Sequence, residues 1–342
     1  MRPREEAMLR AATNGSRVAG ALLCLVALFD VAKAVAADDS ASYPTRPIHI
    51  IVPFAPAGAS DFAIRLLQTG LTQALGQQIV IDNRPGAAGN IGMEVAARAA
   101  PDGYTLFFGN VGTVSINPHF FPDLTVVPER DFEPVSLASE TPGILVANAK
   151  FPPNSLKEMI DYVKAQPGKV NYASAGVSTL NTLEMEMFRR TAGLEMTQVP
   201  YRGGADPAIA DLIGGHVDVM FVTISSAVAH VKSGALKAFA VTTRERVALL
   251  PEVPTIRELG YPESVSSSWQ GLFAVAQTPQ PIVAKLHTAV LQAMGDPNVR
   301  KLMIQAGMLP TTSQSPEAFK TYLAAESAKW KRVVKEAGAK LE

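Results

Sequence analysis

The stretch IHIIVPFAPAGASD, residues 48–61, decides the fold of this 342-residue chain. Its start, His49–Val52, is rich in β-branched residues and predicts a short buried strand, which two prolines then end. Three small residues follow, and either Ser60 or Asp61 is predicted to cap an amphipathic helix that runs to Leu75. The stretch therefore predicts a strand, a bare loop and a helix N-terminus in immediate succession.

A bare loop at a helix N-terminus leaves backbone N–H groups free at the positive end of the helix dipole. Such a place suits an anion, for example a carboxylate. Small residues are also favoured in any tight turn, so the stretch is equally consistent with an ordinary connection in which the helix packs on the strand. Residues 48–61 alone leave both interpretations open.

Length and composition set broad limits. A chain of 342 residues predicts two domains of roughly 100–200 residues each. The 31 basic and 31 acidic residues balance, and no dense run of lysine or arginine follows residue 17, so we expect no nucleic acid partner. The hydrophobic fraction of 47% is enough for sizeable cores.

The N-terminus has the order of a secretory signal peptide. Four arginines precede an apolar run at Val18–Phe29, and Ala34-Val35-Ala36 forms an A-x-A cleavage pattern. The apolar run is too short for a comfortable membrane span. Residues 1–36 are therefore predicted to be removed on export, which makes the mature chain soluble and periplasmic. Cys24, the one cysteine, lies in this segment, so the mature protein is expected to contain no disulfide.

The rest of the chain repeats the strand–loop–helix pattern in two series. Strands that alternate with helices predict a mainly parallel sheet in each series, and such sheets bind ligands at the edge where these loops lie. Two extended crossings, at 132–147 and 269–276, predict two lobes around a cleft. After the opening loop, the further loops are predicted at Asn83–Asn90, Gly109–Thr113, Ser174–Thr179, Tyr201–Gly204 and Val222–Ser226.

The sequence lacks the common motifs of catalysis and cofactor binding. Gly86, Gly89 and Gly92 have the wrong spacing for a dinucleotide loop, and no lysine follows to make a P-loop. The five histidines have no metal-ligand spacing. No G-x-S-x-G nucleophile turn is present. We therefore expect no cofactor, no metal and no enzymatic activity.

The candidate loops offer hydroxyls and backbone N–H groups but few cations. Ser174, Ser178 and Thr179 lie at a predicted helix start, where capping is the commoner role of a hydroxyl. Arg84 and Arg202 are the basic residues in these loops. An anion is therefore expected to be held mainly by neutral dipoles, which avoids the desolvation cost of a buried ion pair.

A set of short motifs between Tyr43 and the C-terminus matches one known family. PFAPAGASD at 53–61 is similar to that family's PFxPGGxxD loop, and NRPGAAGNIG at 83–92 to its NRPGAGGxxG. Further matches are YPTRPI (43–48), APDGYTL (100–106), NYASAG (171–176), VPYRGG (199–204), DLIGGHVDVMF (211–221), LLPEVPTIRELGYP (249–262) and WQGLFA (269–274). The chain thus resembles the Bug-type extracytoplasmic solute receptors, the binding subunits of tripartite tricarboxylate transporters.

The resemblance implies a two-lobed α/β fold of the periplasmic-binding-protein kind (Venus-flytrap, type II-like). We place residues 44–142 and 264–342 in the first lobe and 143–263 in the second, with hinges near 141–144 and 262–270. A small carboxylate-bearing organic solute would lie between the lobes. The closed protein, a monomer, would deliver it to membrane permease subunits. The alternative is a signalling receptor that docks on a sensor protein.

Carried onto this chain, the ligand contacts of the family fall on loop residues of both lobes. In the first lobe they are Phe54, Ala57, Gly58, Ser60 and Asp61, with Asn110 and Thr113 nearby. In the second lobe they are Ser174, Ala175, Gly176, Thr179, Tyr201, Gly204 and Thr223.

The sequence departs from the family pattern at several of these loops. Ala57 and Ala88 stand where glycine is common, and the Ala57 methyl group is expected to narrow the carboxylate pocket. Ser178 and Thr182 replace a frequent Gly and His. Val222-Thr223 replaces a frequent Asp-Asn, which removes a partner for a cationic group. The departures predict an uncharged or purely acidic ligand rather than an amino acid.

Overall fold

The computed structural model describes residues 42–176, 179–201 and 204–338; the predicted signal peptide lies outside these ranges. The strands are β1 (Ile48–Val52), β2 (Ile79–Asn83), β3 (Thr105–Asn110), β4 (Phe132–Thr141), β5 (Gly143–Asn148), β6 (Asn171–Ser174), β7 (Thr197–Pro200), β8 (Val219–Thr223), β9 (Leu236–Val241), β10 (Ser268–Val275) and β11 (Leu309–Pro310).

The α-helices are α1 (Ala59–Leu75), α2 (Asn90–Ala97), α3 (Asn117–Phe120), α4 (Pro128–Asp131), α5 (Leu156–Ala165), α6 (Leu180–Thr191), α7 (Ala205–Gly214), α8 (Ile224–Lys232), α9 (Gln280–Met294), α10 (Pro297–Gln305) and α11 (Pro316–Ala337). Short 3₁₀ turns occupy Ala87–Gly89 and Pro262–Ser264, and a π-helical turn occupies Gly112–Ile116. In the described part of the chain, no helix has the length and apolar character needed to cross a membrane.

The strands form two sheets, as the sequence predicted. A six-stranded sheet has the order β11-β4-β10-β3-β1-β2, and a five-stranded sheet has the order β7-β6-β8-β5-β9. Both sheets are mixed, because β10 lies antiparallel between β3 and β4, and β5 lies antiparallel between β8 and β9. Apart from these two strands and the two-residue β11, the strands of each sheet share one direction.

Each sheet contains a parallel three-stranded unit of the same topology. Strand β1 pairs with β2 on one side and β3 on the other, and β6 pairs in the same way with β7 and β8. Parallel strands need a crossover connection, so each strand of the two units is followed by a helical segment. Helical N-termini therefore gather at the carboxyl edge of both units, where open α/β sheets bind ligands.

Strand β1 is buried on both faces, which explains its apolar run. Ile48 and Ile50 pack with helices α1 and α9, whereas Ile51 packs in a second core, on the opposite face, with α2 and α11. The second sheet repeats this alternation, with Ile144 and Leu145 of β5 in different cores. Helices thus cover both faces of both sheets.

Helix α6 packs across the two sheets. It follows β6 of the second sheet, yet its residues Leu183 and Met187 belong to a core of the first sheet that contains Trp269 and Trp330. Both indole N–H groups donate to one buried carboxylate oxygen of Glu326, at 3.1 and 3.0 Å. The packing joins a helix of the second unit to the long C-terminal helix α11.

The structure corrects three details of the sequence prediction. Gly58, and neither Ser60 nor Asp61, is the N-cap of α1. The predicted third loop is shorter, because β3 continues to Asn110, where it pairs with β10. Strand β8 likewise continues to Thr223 opposite β5, and α8 begins at the next residue, so the loop predicted there does not form. In both cases an antiparallel neighbour distant in sequence keeps the strand extended.

Two chain segments connect the sheets, Thr141–Gly143 and Val241–Ser268. The Glu184 side chain of α6 contacts both segments. Ser266 Oγ donates to Glu184 at 2.7 Å, and a Cβ added at Gly143 would lie 2.8 Å from the same carboxyl group. Burial raises the pKa of Glu184 to about 7, against the opposing effect of its hydrogen bonds. The predicted lobe boundaries, which fall in these segments, stay a prediction.

We expect Glu184→Gln to change how stability depends on pH. A carboxyl group whose pKa rises from 4.5 to about 7 on folding holds its proton more tightly in the native state, so stability falls as pH rises through that window. The shift corresponds to about 3 kcal/mol. The unfolding free energy of Glu184→Gln minus that of the native protein should therefore rise by about that amount as the pH increases from about 4.5 to 7.5. Urea titrations at a series of pH values measure this difference.

Glu252→Gln, at an exposed turn residue, is the matched control and should leave the pH profile as it is. Parallel profiles for the native protein and Glu184→Gln would contradict the prediction.

Candidate functional site

The opening loop, residues 53–58, is held by the carboxylate of Asp61. Its Oδ2 accepts the Ala57 N–H at 2.9 Å, and Arg65 Nε lies 2.9 and 2.8 Å from the two carboxylate oxygens. Asn83 Nδ2 donates to Oδ1 at 3.0 Å. Burial acts to raise the pKa of Asp61, but these hydrogen bonds outweigh it and lower the pKa. The side chain of Asp61 therefore braces its own loop.

Three alanines in the first-lobe loops have backbone conformations that favour glycine. Ala57 has a φ of 67°, Ala87 a φ of 46° and Ala88 a φ of 55°. A Cβ in this left-handed region crowds the following carbonyl group. Ala57 and Ala88 are the positions at which the sequence departs from the glycines of the family it resembles, so the conformation gives a physical reason for those two glycines.

The loops after β1, β2 and β3 contact one another. A Cβ added at Gly89 would lie 2.5 Å from Thr113 Cγ2 and 3.2 Å from the Phe54 ring. Asn117 Nδ2 donates to the Ala88 carbonyl at 3.0 Å, which links the second loop to the helix after the third. The predicted first-lobe residues thus lie together at one edge of the sheet.

Asn110 and Thr113 bond to each other across the third turn. The Thr113 N–H donates to Asn110 Oδ1 at 2.9 Å, and the Asn110 N–H donates to Thr113 Oγ1 at 3.1 Å. Thr113 is fully buried, whereas Asn110 is half-buried. Of the two side chains, Asn110 is therefore the one that solvent or a ligand reaches.

A hydroxyl network lines the corresponding loop of the second lobe. Ser174 Oγ lies 2.9 Å from Thr182 Oγ1. Thr179 Oγ1 lies 2.9 Å from Thr182 Oγ1 and 2.8 Å from the Gly176 carbonyl oxygen. The Tyr201 N–H donates to the Ser174 carbonyl at 2.8 Å, so the next loop joins the same group. Ala175, which follows Ser174 in this loop, is half-buried.

Three helices of the second lobe begin at predicted site residues. Thr179, Gly204 and Thr223 are the N-caps of α6, α7 and α8. Neither hydroxyl caps its helix, and Gly204 has no side chain to do so. The first N–H of α8, that of Ile224, donates to the Pro142 carbonyl at 3.0 Å, whereas no side chain caps the first turns of α6 and α7. Tyr201 differs, because its hydroxyl donates to Asp211 at 2.8 Å; burial and this bond raise its pKa to about 12.

The site region offers neutral donors rather than a free cation. Among the described residues beside the first-lobe loops, Arg65 pairs with Asp61 and Arg84 pairs with Asp82, each at 2.8 Å. Arg202, the other cation predicted near the loops, lies outside the described residues, as does Ser178. No described group of three or more His, Cys, Asp or Glu side chains is arranged to hold a metal.

The structure gathers the fourteen predicted residues into two groups, one at each parallel unit. Within the described chain, no hydrogen bond joins the groups. A cavity of about 500 Å³ lies elsewhere, between residues 243–246 and α11, and none of the predicted residues lines it. Acidic and basic side chains both line that cavity, with Glu140 and Glu326 beside Arg244 and Lys329. Because none of the predicted contacts is among its lining residues, we do not place the site there.

Sequence reasoning assigned no role in the site to four residues that organise it, although it named Thr182 as a departure from the family pattern. Arg65 and Asn83 bind the Asp61 carboxylate, Asn117 links two loops, and Thr182 is the centre of the hydroxyl network. The spacing of Arg65, four residues after Asp61 on a predicted helix, was a usable signal. The other three contacts bring together residues 8 to 29 positions apart, which no local pattern reveals.

Comparison with known proteins identifies the family. Residues 63–339 match the profile of the Tripartite tricarboxylate transporter family receptor. The chain belongs to this receptor family. Protein BugT of Bordetella pertussis (strain Tohama I) is 35% identical to it over 323 residues, which cover 94% of this chain and 98% of BugT. Receptors of this family are periplasmic and serve tripartite transporters.

Solved receptors confirm the two-lobed periplasmic-binding-protein fold. MatC from Rhodopseudomonas palustris, solved with bound malate, is 36% identical, with a TM-score of 0.68 over 85% of this chain and 100% of MatC. Rpa4515 of R. palustris, solved with adipate, is 32% identical, with a TM-score of 0.72 over 88% of this chain and 100% of its own.

We expect Ala88→Gly to stabilise the protein by about 0.5–1 kcal/mol, because relief of the left-handed strain exceeds the entropy that glycine adds to the unfolded chain. Chemical denaturation measures the gain. Ala149→Gly, at an exposed turn residue outside the positive-φ set, is the control and should lose stability. A loss at both positions would contradict the strain argument.

Asp61→Ala should lower the unfolding free energy by about 1–3 kcal/mol at pH 7, because it leaves Ala57 N–H, Asn83 and Arg65 without their acceptor. The loss should shrink as pH falls through the lowered pKa of Asp61, where the native carboxylate also becomes protonated. Glu94→Ala removes another i,i+4 ion pair, one whose arginine is 75% exposed, and should cost about 0.5 kcal/mol or less. Equal losses would refute the bracing role.

Proposed function

We propose that this receptor captures a small organic acid between its lobes and delivers it to the permease subunits of a tripartite tricarboxylate-type transporter. The observation that carries the proposal is the gathering of helical N-termini at the carboxyl edges of two matching parallel units. Uncapped N–H groups at such termini bind carboxylates through hydrogen bonds and the helix dipole. The absence of an unpaired cation beside the described loops fits a solute that must be released again.

The proposed lobes comprise residues 44–142 with 264–342, and 143–263, which join through hinges near 141–144 and 262–270. The sheets support this division, since β4 and β5 belong to different sheets although one residue separates them. Closure about the two connecting segments would bring the loop groups to opposite sides of one ligand.

The proposed contacts are the fourteen predicted residues, with distinct roles. Main-chain N–H groups at Gly58–Asp61 would hold one carboxylate, and Phe54 would form an apolar wall. From the other lobe, Ser174 and Thr179 would contribute hydroxyls, because their network already orients both oxygens. Asp61 would contribute its N–H alone, since its carboxylate is occupied by Arg65.

The ligand is proposed to be acidic without an amino group. Asp61, the one carboxylate among the proposed contacts, is neutralised by Arg65. At the end of β8, Val222 is buried and Thr223 Oγ1 lies 3.0 Å from Ser226 Oγ, so neither offers a charge to an ammonium group. The relatives MatC and Rpa4515, which hold malate and adipate, support a dicarboxylate class.

We further propose that residues 1–36 are a cleaved signal peptide and that the mature receptor is a periplasmic monomer without enzymatic activity. A signalling receptor remains the second candidate. Co-purification with permease subunits rather than a sensor protein separates the two, and recovery of unchanged acid after incubation tests the absence of catalysis.

Titration calorimetry of the protein lacking residues 1–36 tests the ligand class. Malate, adipate and an aromatic acid are compared with aspartate and glutamate. We expect saturable heat from at least one acid without an amino group and none from the amino acids. Tight aspartate or glutamate binding, with no response to the other acids, would refute the proposal.

Thr179→Val should weaken binding of the acid identified in that titration about tenfold, because it removes a hydroxyl and leaves the shape of the side chain. Thr191→Val is the matched control, since it lies at the far end of the same helix and bonds to the Met187 carbonyl. An unchanged dissociation constant for Thr179→Val would remove Thr179 from the site.

A further inference from the structure

The hydroxyl network of the second lobe has a fixed order of protons. Thr179 Oγ1 lies 2.8 Å from the Gly176 carbonyl oxygen, and a carbonyl oxygen only accepts, so Thr179 is the donor in that contact. A hydroxyl has one proton, so the proton in the 2.9 Å contact between Thr179 and Thr182 comes from Thr182. By the same reasoning Ser174 donates to Thr182, also at 2.9 Å. These three contacts use all three hydroxyl protons.

Thr179 is the residue of this network that a ligand reaches. Ser174 and Thr182 are 1% and 3% exposed, whereas Thr179 is half-buried at the start of α6. A hydroxyl oxygen has two acceptor lone pairs, and the Thr182 hydroxyl occupies one of those on Thr179. Thr179 therefore presents a hydrogen-bond acceptor, and no donor, to a ligand.

Asn110, in the first lobe, presents the opposite chemistry. Its Oδ1 accepts the Thr113 N–H at 2.9 Å, which fixes the orientation of the amide group. Among the described residues its Nδ2 group has no hydrogen-bond partner, so both amide protons are free. A carboxylate has acceptor oxygens only. It therefore matches the Asn110 amide and does not match the Thr179 hydroxyl.

A ligand carboxylate at Thr179 would carry a cost. It would draw the hydroxyl proton away from the Gly176 carbonyl and leave two oxygens 2.8 Å apart with no proton between them. An ammonium group could donate to Thr179, but burial of its charge is costly without a partner, and Asp61, the carboxylate among the proposed contacts, is paired with Arg65. A ligand hydroxyl is a neutral donor and avoids both costs.

We propose that the ligand is an organic acid that carries a hydroxyl group, and that Thr179 selects it by accepting a hydrogen bond from that hydroxyl. The ligand carboxylate lies at the first-lobe loops, beside the Asn110 amide. This selection rests on the proposed function, capture of an organic acid, and it assigns the hydroxyl contact of the second lobe to Thr179.

Titration calorimetry of the purified protein with malate and succinate, which differ by one hydroxyl group, tests the selection. We expect one enantiomer of malate to bind at least about fivefold more tightly than succinate, which is the ratio that one net hydrogen bond provides. Thr179→Val should reduce that ratio to about one. The variant leaves the Gly176 carbonyl paired, because the Thr179 N–H also donates to it, at 3.1 Å. Thr191→Val, at the other end of the same helix, should keep the native ratio.

Three results would overturn the selection. They are equal affinities for malate and succinate in the native protein, an equal loss of both affinities in Thr179→Val, and no binding of either acid. Binding of another acid in the titration that tests the ligand class would still leave the proposed function in place.

Asn110→Asp tests the position of the carboxylate. The variant keeps the Oδ1 acceptor for the Thr113 N–H but replaces the amide donor by a charged oxygen, which repels a carboxylate. It should weaken malate and succinate by the same factor, about tenfold or more. Unchanged affinities for both acids, with circular dichroism showing the variant folded, would overturn the proposed orientation of the ligand.

Discussion

The need of parallel strands for a crossover helix is the constraint on which this structure depends. Each strand of the two three-stranded units must be followed by a helical segment that begins at the same edge of the sheet. The first N–H groups of those helices cannot bond within their own helix, so unsatisfied donors accumulate at that edge. Because β1 and β6 hold equivalent central positions, the molecule builds this donor-rich edge twice. This repeated edge is the basis of the carboxylate site that we propose, which needs no dedicated cation.

Neutral donors work only if nearby charges are cancelled, and Asp61 shows how this is done. A carboxylate in the first turn of α1 suits the helix dipole but would repel an acidic ligand. Arg65 binds both of its oxygens, and the Ala57 N–H and Asn83 fill further acceptor positions. The ion pair is therefore structural. It fixes the loop and keeps the left-handed conformation of Ala57 in place.

Helix α6 connects the candidate site to the segments that join the sheets. It begins beside the hydroxyl network, at Thr179, and little more than a turn later Glu184 contacts both connections. On either side of Glu184 in the chain, Leu183 and Met187 pack in the same core as Trp269 of the first sheet. One helix thus extends from the hydroxyl network to both segments that connect the sheets. The burial of Glu184 there makes the same region sensitive to pH.

Local chemistry was enough to predict much of this molecule. The apolar run of β1, the small residues after it and the helix that follows all lie within residues 48–75. The Ser155 hydroxyl caps α5 by accepting the Glu158 N–H, the role that a serine before a helix commonly has. The alanines at 57 and 88 stood out in the sequence, and their positive φ values explain why. Patterns of this kind depend only on residues that are close together in the sequence, so one sequence is enough to reveal them.

Tertiary structure alone decided the rest. Strand β10 lies between β3 and β4 and so joins segments more than 100 residues apart. Its pairing with β3 extends that strand into residues for which the sequence predicted a loop. Contacts between distant residues also decided that Asn83 binds Asp61 and that α6 packs against the first sheet. Burial left the Ser115 hydroxyl without a partner among the described residues. Strand pairing and burial depend on which surfaces meet after the chain folds, and no short window of sequence specifies those meetings.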